Sequence, residues 1–192
     1  KVMSTLKTLS NNDKFLYNQN IKKNLFNRQK ALVIGGSQGI GEIITKQICY
    51  GGGDVLMTYH NSIKKAKDIL TEISKYGGKI NIKKCNILDK KSLISILSKK
   101  QINMIYLCAS PLIFQFNKKE FDLKLFLDFF DYYIKPIKLI INFIKNNKSI
   151  KNKICLWYPS TSFIDKPEPY LEEYIATKFL SELLIKQSNI VY

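Results

Sequence analysis

The stretch Ala31-Leu32-Val33-Ile34-Gly35-Gly36-Ser37-Gln38-Gly39-Ile40-Gly41 decides how this chain is read. Its four leading apolar residues predict a short buried strand, and the glycines that follow predict a turn from which a helix starts at Gly39. A strand that ends in glycines and feeds a helix lets the backbone approach a pyrophosphate closely. Free N–H groups and the positive end of the helix dipole then point at the anion. The spacing is G-x-x-x-G-x-G, not the commoner G-x-G-x-x-G. Gly35, Ser37, Gln38, Gly39, Ile40 and Gly41 are therefore the candidate cofactor contacts, against the alternative of a purely structural turn.

Outward from this stretch, short β-branched or apolar runs alternate with longer helical patterns, the signature of βαβ units and a parallel sheet. Strands are predicted at residues 31–34, 54–58, 79–82, 103–108, 153–158 and 189–192. Helices are predicted at residues 39–50, 62–76, 90–99, 119–146 and 170–187, with glycines at 51–53 and 77–78 as stops for the first two. The fold class expected is α/β, a Rossmann-type doubly wound parallel sheet flanked by helices, over residues 31–192. Residues 1–30 read as a linker or an appended helix. The chain reads as an excised segment, cut before its last strands.

Composition narrows the function classes. With 192 residues, 45% hydrophobic and 24% charged, the chain is neither disordered nor fibrous and stands on a hydrophobic core. Its net charge of +16 comes from 31 cationic residues, of which Arg28 alone is arginine. Readers of nucleic acid usually lean on the bidentate arginine fork, so the charge reads first as a lysine bias over solvated faces. An anionic partner would be, in descending order, a nucleotide cofactor, a phosphopantetheine carrier, a membrane surface or nucleic acid. Cys49, Cys85, Cys108 and Cys155 match no metal-site spacing and sit in apolar stretches, which predicts buried free thiols, no metal and a reducing, cytoplasmic setting. No run of 18 apolar residues exists, which argues against a membrane span.

The glycine turn resembles that of the short-chain dehydrogenase/reductase family, T-G-x-x-x-G-x-G after the first strand, with Ile34 in place of the threonine. The family's Y-x-x-x-K, on the helix after the fifth strand, has its match in Tyr174-Ile175-Ala176-Thr177-Lys178. On a helix, i and i+4 share a face, so Tyr174 and Lys178 can address one site. A nearby ammonium favours phenolate and draws a tyrosine toward acid–base work near neutrality. The resemblance further implies that Lys178 contacts the nicotinamide ribose and that a hydroxyl thirteen residues before the tyrosine holds the substrate carbonyl. That position is Thr161, with Ser160 as the alternative. Two departures stand out. The family's relay asparagine on the fourth helix falls at Tyr133, and its N-A-G after the fourth strand is Cys108-Ala109-Ser110, which leaves Cys108 and Ala109 as candidate cofactor contacts.

Cofactor choice follows from the end of the second strand, where enzymes preferring NAD carry an acidic side chain. Here Tyr59-His60-Asn61-Ser62 precedes Lys64 and Lys65, so NADP is favoured, with His60 as a contact. Asn86 and Ile87 match the family segment that lines the adenine. The function expected is NADP(H)-dependent reduction of a carbonyl on a small-molecule or carrier-bound substrate. A degenerate nucleotide-binding or protein-interaction domain is the alternative, and a basic docking module comes third. The resemblance also implies a homodimer through the fourth and fifth helices, for which Phe121, Leu123, Leu125, Phe126, Leu127, Phe129, Phe130, Tyr132 and Tyr133 supply an apolar excess.

Overall fold

The computed structural model describes residues 22–98, 101–113, 120–147 and 154–188. The chain divides into two compact units, one ending at Lys84 and the other beginning at Cys85.

The first unit holds β1 (Lys30–Ile34), α1 (Gly39–Tyr50), β2 (Asp54–Tyr59), α2 (Ile63–Lys75) and β3 (Lys79–Lys84). β2 pairs in parallel with β1 (Val33 opposite Met57) and with β3 (Val55 opposite Ile80). The apolar run of β1 is buried from Ala31 to Ile34, as a strand covered on both faces requires. β3 alternates half-buried Ile80 and Ile82 with exposed Lys79, Asn81 and Lys83, the pattern of a strand covered on one face only. The glycines after α1 do more than stop it. A Cβ on Gly51 would lie 2.4 Å from the Phe26 ring and one on Gly52 2.2 Å from the Asn27 amide, so this turn is the seat for the segment before β1. The described part of that segment is a series of turns from Lys23 to Arg28, and the Gln29 carbonyl accepts from Asp54 N–H at 2.9 Å. Residues 1–21 lie outside the described residues.

The second unit holds α3 (Lys90–Leu97), β4 (Met104–Leu107), α4 (Leu123–Asn146), β5 (Cys155–Trp157), a single 3₁₀ turn (Ser162–Ile164) and α5 (Glu172–Gln187). β4 and β5 pair in parallel, Ile105 opposite Leu156. Asp89 caps α3 and Asp122 caps α4, each carboxylate accepting from two first-turn N–H groups. The cap at Asp122 starts α4 four residues later than the apolar pattern predicts. Its 24 residues run through Pro136, which is buried and leaves the Tyr132 carbonyl without its usual intrahelical donor. The strand expected at 189–192 lies outside the described residues.

Five strands, parallel in every described pair and alternating with helices, make this an α/β protein of the Rossmann type. Corrections concern surfaces. Of the nine apolar residues assigned to a dimer face, Leu125, Phe129 and Tyr133 are buried in the second unit's own core. Of the four cysteines, all free, Cys49 and Cys85 are buried but Cys108 and Cys155 only half so.

Candidate active site

In the first unit the glycines divide their work. Gly35 N–H donates to Thr58 Oγ1 at 3.1 Å and Gly36 N–H to the Thr58 carbonyl at 3.0 Å, which ties the turn to β2. A Cβ on Gly36 would meet Met57 at 2.4 Å, and one on Gly41 would meet the Gly35 carbonyl oxygen at 2.4 Å, so both are packing glycines. Gly39 differs: its φ of 57° is left-handed, and nothing lies within 4 Å of where its Cβ would be. Gln38, at the N-cap of α1, makes no side-chain cap, and its Oε1 instead accepts from Lys65 Nζ at 3.1 Å. An open, uncapped helix start with an ammonium beside it suits a diphosphate. Ser37 is buried in the turn, and Ile40 and His60 are exposed.

The second unit gathers the other candidates around α5. The buried stripe of this helix is polar: Glu173, Tyr174, Thr177, Lys178 and Ser181, with Ile185. Thr177 and Ser181 satisfy themselves by donating to carbonyls one turn back, and Glu173 accepts from the Asp122 N–H at the start of α4. Tyr174, only 6% exposed, packs edge-on against Phe129 (5.7 Å between ring centres) and Tyr133 (6.1 Å). Burial raises its pKa above the ordinary tyrosine value, and the hydrogen bond with Thr161 is the influence pulling it back. Thr161 Oγ1 itself accepts from Phe163 N–H at 3.3 Å, at the start of the 3₁₀ turn. Ser160, the alternative, donates to Glu182 instead.

Lys178 is 3% exposed. Its Nζ donates to the Pro159 carbonyl and stands 4.0 Å from the Tyr158 ring centre, 4.7 Å from that of Tyr133 and 5.8 Å from that of Tyr174. Burial lowers its pKa to about 7, against the opposing pull of Glu182 and Cys108. Lys178 is not among the influences that pull the Tyr174 pKa back down. The ammonium faces the Pro159 carbonyl and the aromatic rings, and desolvation dominates both groups.

Around this pair lie residues whose part spacing did not disclose. Ser110 Oγ donates to the Pro111 carbonyl at 2.9 Å, so the Tyr133 hydroxyl, 2.6 Å away, donates to Ser110. The two departures from the family pattern thus form one hydrogen-bonded pair, a larger side chain on α4 matched by a hydroxyl in the loop after β4. Tyr158 Oη is buried without a hydrogen-bond partner among the described residues. Burial pushes the Cys108 thiol up to about 12, only partly offset by Lys178, so it is inert. Ala109 is half-buried. Asn86 Oδ1 accepts from Leu88 N–H at 3.0 Å, which fixes its turn and leaves it one remaining lone pair, while Ile87 is buried. No group of three or more His, Cys, Asp or Glu among the described residues could hold a metal, and no helix there is long and apolar enough to cross a membrane.

No family model matches the chain. The short-chain dehydrogenase/reductase FrzI of a Cladobotryum species is 36% identical over 61 residues, which cover 32% of this chain and 24% of that protein. Among solved structures, the fold resembles FolM alternative dihydrofolate reductase 1 from Brucella suis in complex with NADP, with a TM-score of 0.72 at 15% identity over 87% of this chain and 70% of that one. It also resembles a short-chain dehydrogenase from Burkholderia cenocepacia in complex with NADP, with a TM-score of 0.68 at 16% identity over 84% and 67%. The L-sorbose reductase of Gluconobacter frateurii, complexed with NADPH and L-sorbose, gives a TM-score of 0.70 at 11% identity over 83% and 62%. At these identities the structural likeness is one of fold. The sequence match, the turn and the tyrosine–lysine pair add to it: over the matched stretch the chain is similar to a short-chain dehydrogenase/reductase, and it spans about a quarter of that relative's length.

Proposed function

We propose that the chain is an NADP(H)-dependent oxidoreductase that reduces a carbonyl to an alcohol, on a small-molecule or carrier-bound substrate. The observation that carries this is the placement of Tyr174 and Lys178 one helical turn apart on the buried face of α5. The Gly39 cradle and the start of α1 would bind the cofactor's diphosphate. A bound nicotinamide would supply hydride to the carbonyl carbon. As negative charge develops on the carbonyl oxygen, Tyr174 Oη releases its proton there and Thr161 donates a hydrogen bond. Because burial holds the phenol protonated beyond its ordinary range, Tyr174 is poised as an acid, the state that reduction needs. NADPH should bind more tightly than NADH, since His60 is exposed beyond β2, Lys65 stands at the turn, and no acidic side chain follows that strand. Equal or tighter NADH binding in a fluorescence titration would contradict this.

The catalytic part is tested by Tyr174→Phe. It should leave NADPH affinity nearly unchanged and lower turnover of a responsive ketone by about 10²- to 10⁴-fold, the usual contribution of a general acid. A second reading, a nucleotide-binding domain without chemistry, is favoured by the deep burial of Tyr174. NADPH binding with no turnover across a panel of ketones would select it.

A further inference from the structure

Lys178 lies in a setting that its place in the sequence does not explain. An ammonium that is 3% exposed needs compensation for lost water, and its hydrogen bond to the Pro159 carbonyl occupies one of three donors. Rings supply the rest. Tyr158 comes from the loop after β5, Tyr133 from α4 and Tyr174 from α5, so three segments each present an aromatic group within 6 Å of one nitrogen. Tyr158 is the nearest, and it presents its ring to the ammonium. Tyr133 is held in turn by stacking on Phe129 (5.9 Å between centres, 4° between planes) and by its bond to Ser110.

We propose that Tyr158 and Tyr133 are positioning residues that cage the Lys178 ammonium and keep it charged inside the second unit. The negative face of an aromatic ring attracts a cation, and the attraction strengthens when water is excluded. The charged and titratable groups facing Lys178 are Glu182 on its own helix, Cys108 after β4, and the three tyrosines. Of these Glu182 is diverted, since it accepts from Ser160 and pairs with Lys186 at 3.4 Å, and Cys108 stays a neutral thiol near pH 7. Beside the Pro159 carbonyl, the rings are therefore the groups packed directly against the charge. The importance of the cage for cofactor binding rests on the function proposed above; the cage itself does not.

The test is the titration of Lys178, read from the ¹³Cε resonance that Lys178→Arg removes. In the parent the midpoint should lie near 7. Tyr158→Leu keeps the site dry but removes the nearest ring, and should lower the midpoint by about one pH unit. Tyr158→Phe should restore it to within a few tenths of the parent. Should Tyr158→Leu fail to fold, progressively fluorinated phenylalanines at position 158 keep the shape while weakening the ring's negative face, and the midpoint should fall stepwise with fluorination. A midpoint that is the same with Leu as with Phe, or that ignores fluorination, overturns the cage. An NADPH titration of the parent runs beside it, and absence of binding there defeats the proposed function while leaving the titration result to judge the cage.

Discussion

Lys178 is a buried lysine of the second unit, and its depressed pKa has a sign that can be worked out. In the folded chain burial favours neutral lysine down to about pH 7, whereas the unfolded chain holds its proton up to the ordinary lysine value. Between those limits the unfolded state binds more protons, so stability rises as pH increases through that window. Urea unfolding of the parent should show this rise, and Lys178→Met should flatten it; a rise of equal slope in the variant would mean that another group is responsible. Tyr174 acts in the opposite sense. Its raised pKa keeps it protonated when the unfolded phenol has ionised, so stability falls again beyond the ordinary tyrosine value.

At the scale of elements, the glycine turn separates two uses of one residue type. Gly41 sits where any Cβ would strike the Gly35 carbonyl oxygen at 2.4 Å, a backbone atom that cannot swing aside. Gly41→Ala should therefore destabilise the first unit by about 1–3 kcal/mol, seen as a lower urea midpoint. Gly39→Ala meets no neighbour but must hold a left-handed φ of 57°, at a cost of about 1–2 kcal/mol. It should lose more in NADPH affinity than in stability, because its methyl would occupy the open approach to the helix start. Parent-like NADPH binding by Gly39→Ala would remove the diphosphate from this turn. The same contrast explains what could be read beforehand. A strand–glycine–helix order announces the turn, but which glycine faces solvent and which faces a carbonyl depends on how α1 leans back on β1.

For the whole molecule, the outstanding question is what covers its remaining apolar surface. Leu125, Phe129 and Tyr133 of α4 are internal, while Leu123 and Leu127 on α4 and Phe179 and Leu183 on α5 are exposed. We propose that these four lie at a homodimer contact. Sedimentation at micromolar concentration should show a dimer that Leu127→Glu dissociates, since a desolvated, unpaired carboxylate opposes burial. A monomeric parent would rule this contact out at working concentration.

Much of this architecture was legible in local patterns. The predicted span of α1 coincides with the observed one, Gly39–Tyr50, because a glycine start and a glycine stop bound an unbroken 3.6-residue periodicity. Strand starts at 54 and 79 were equally plain, since each follows a glycine stop. The tyrosine–lysine pair was readable because i and i+4 share a face in any helix. Tertiary structure alone gave Ser160 and Thr161, adjacent hydroxyls that no local rule separates, different surroundings: Ser160 donates to Glu182, whereas Thr161 accepts from Phe163 N–H. It also joined Tyr133 to Ser110 and placed Tyr158 over Lys178, contacts between residues 20 or more positions apart in the chain. Sequence periodicity carries information about which face of an element is buried. Which groups meet across elements, and hence which charges lose their water, is set by packing, and that packing decides the protonation of Lys178 and Tyr174.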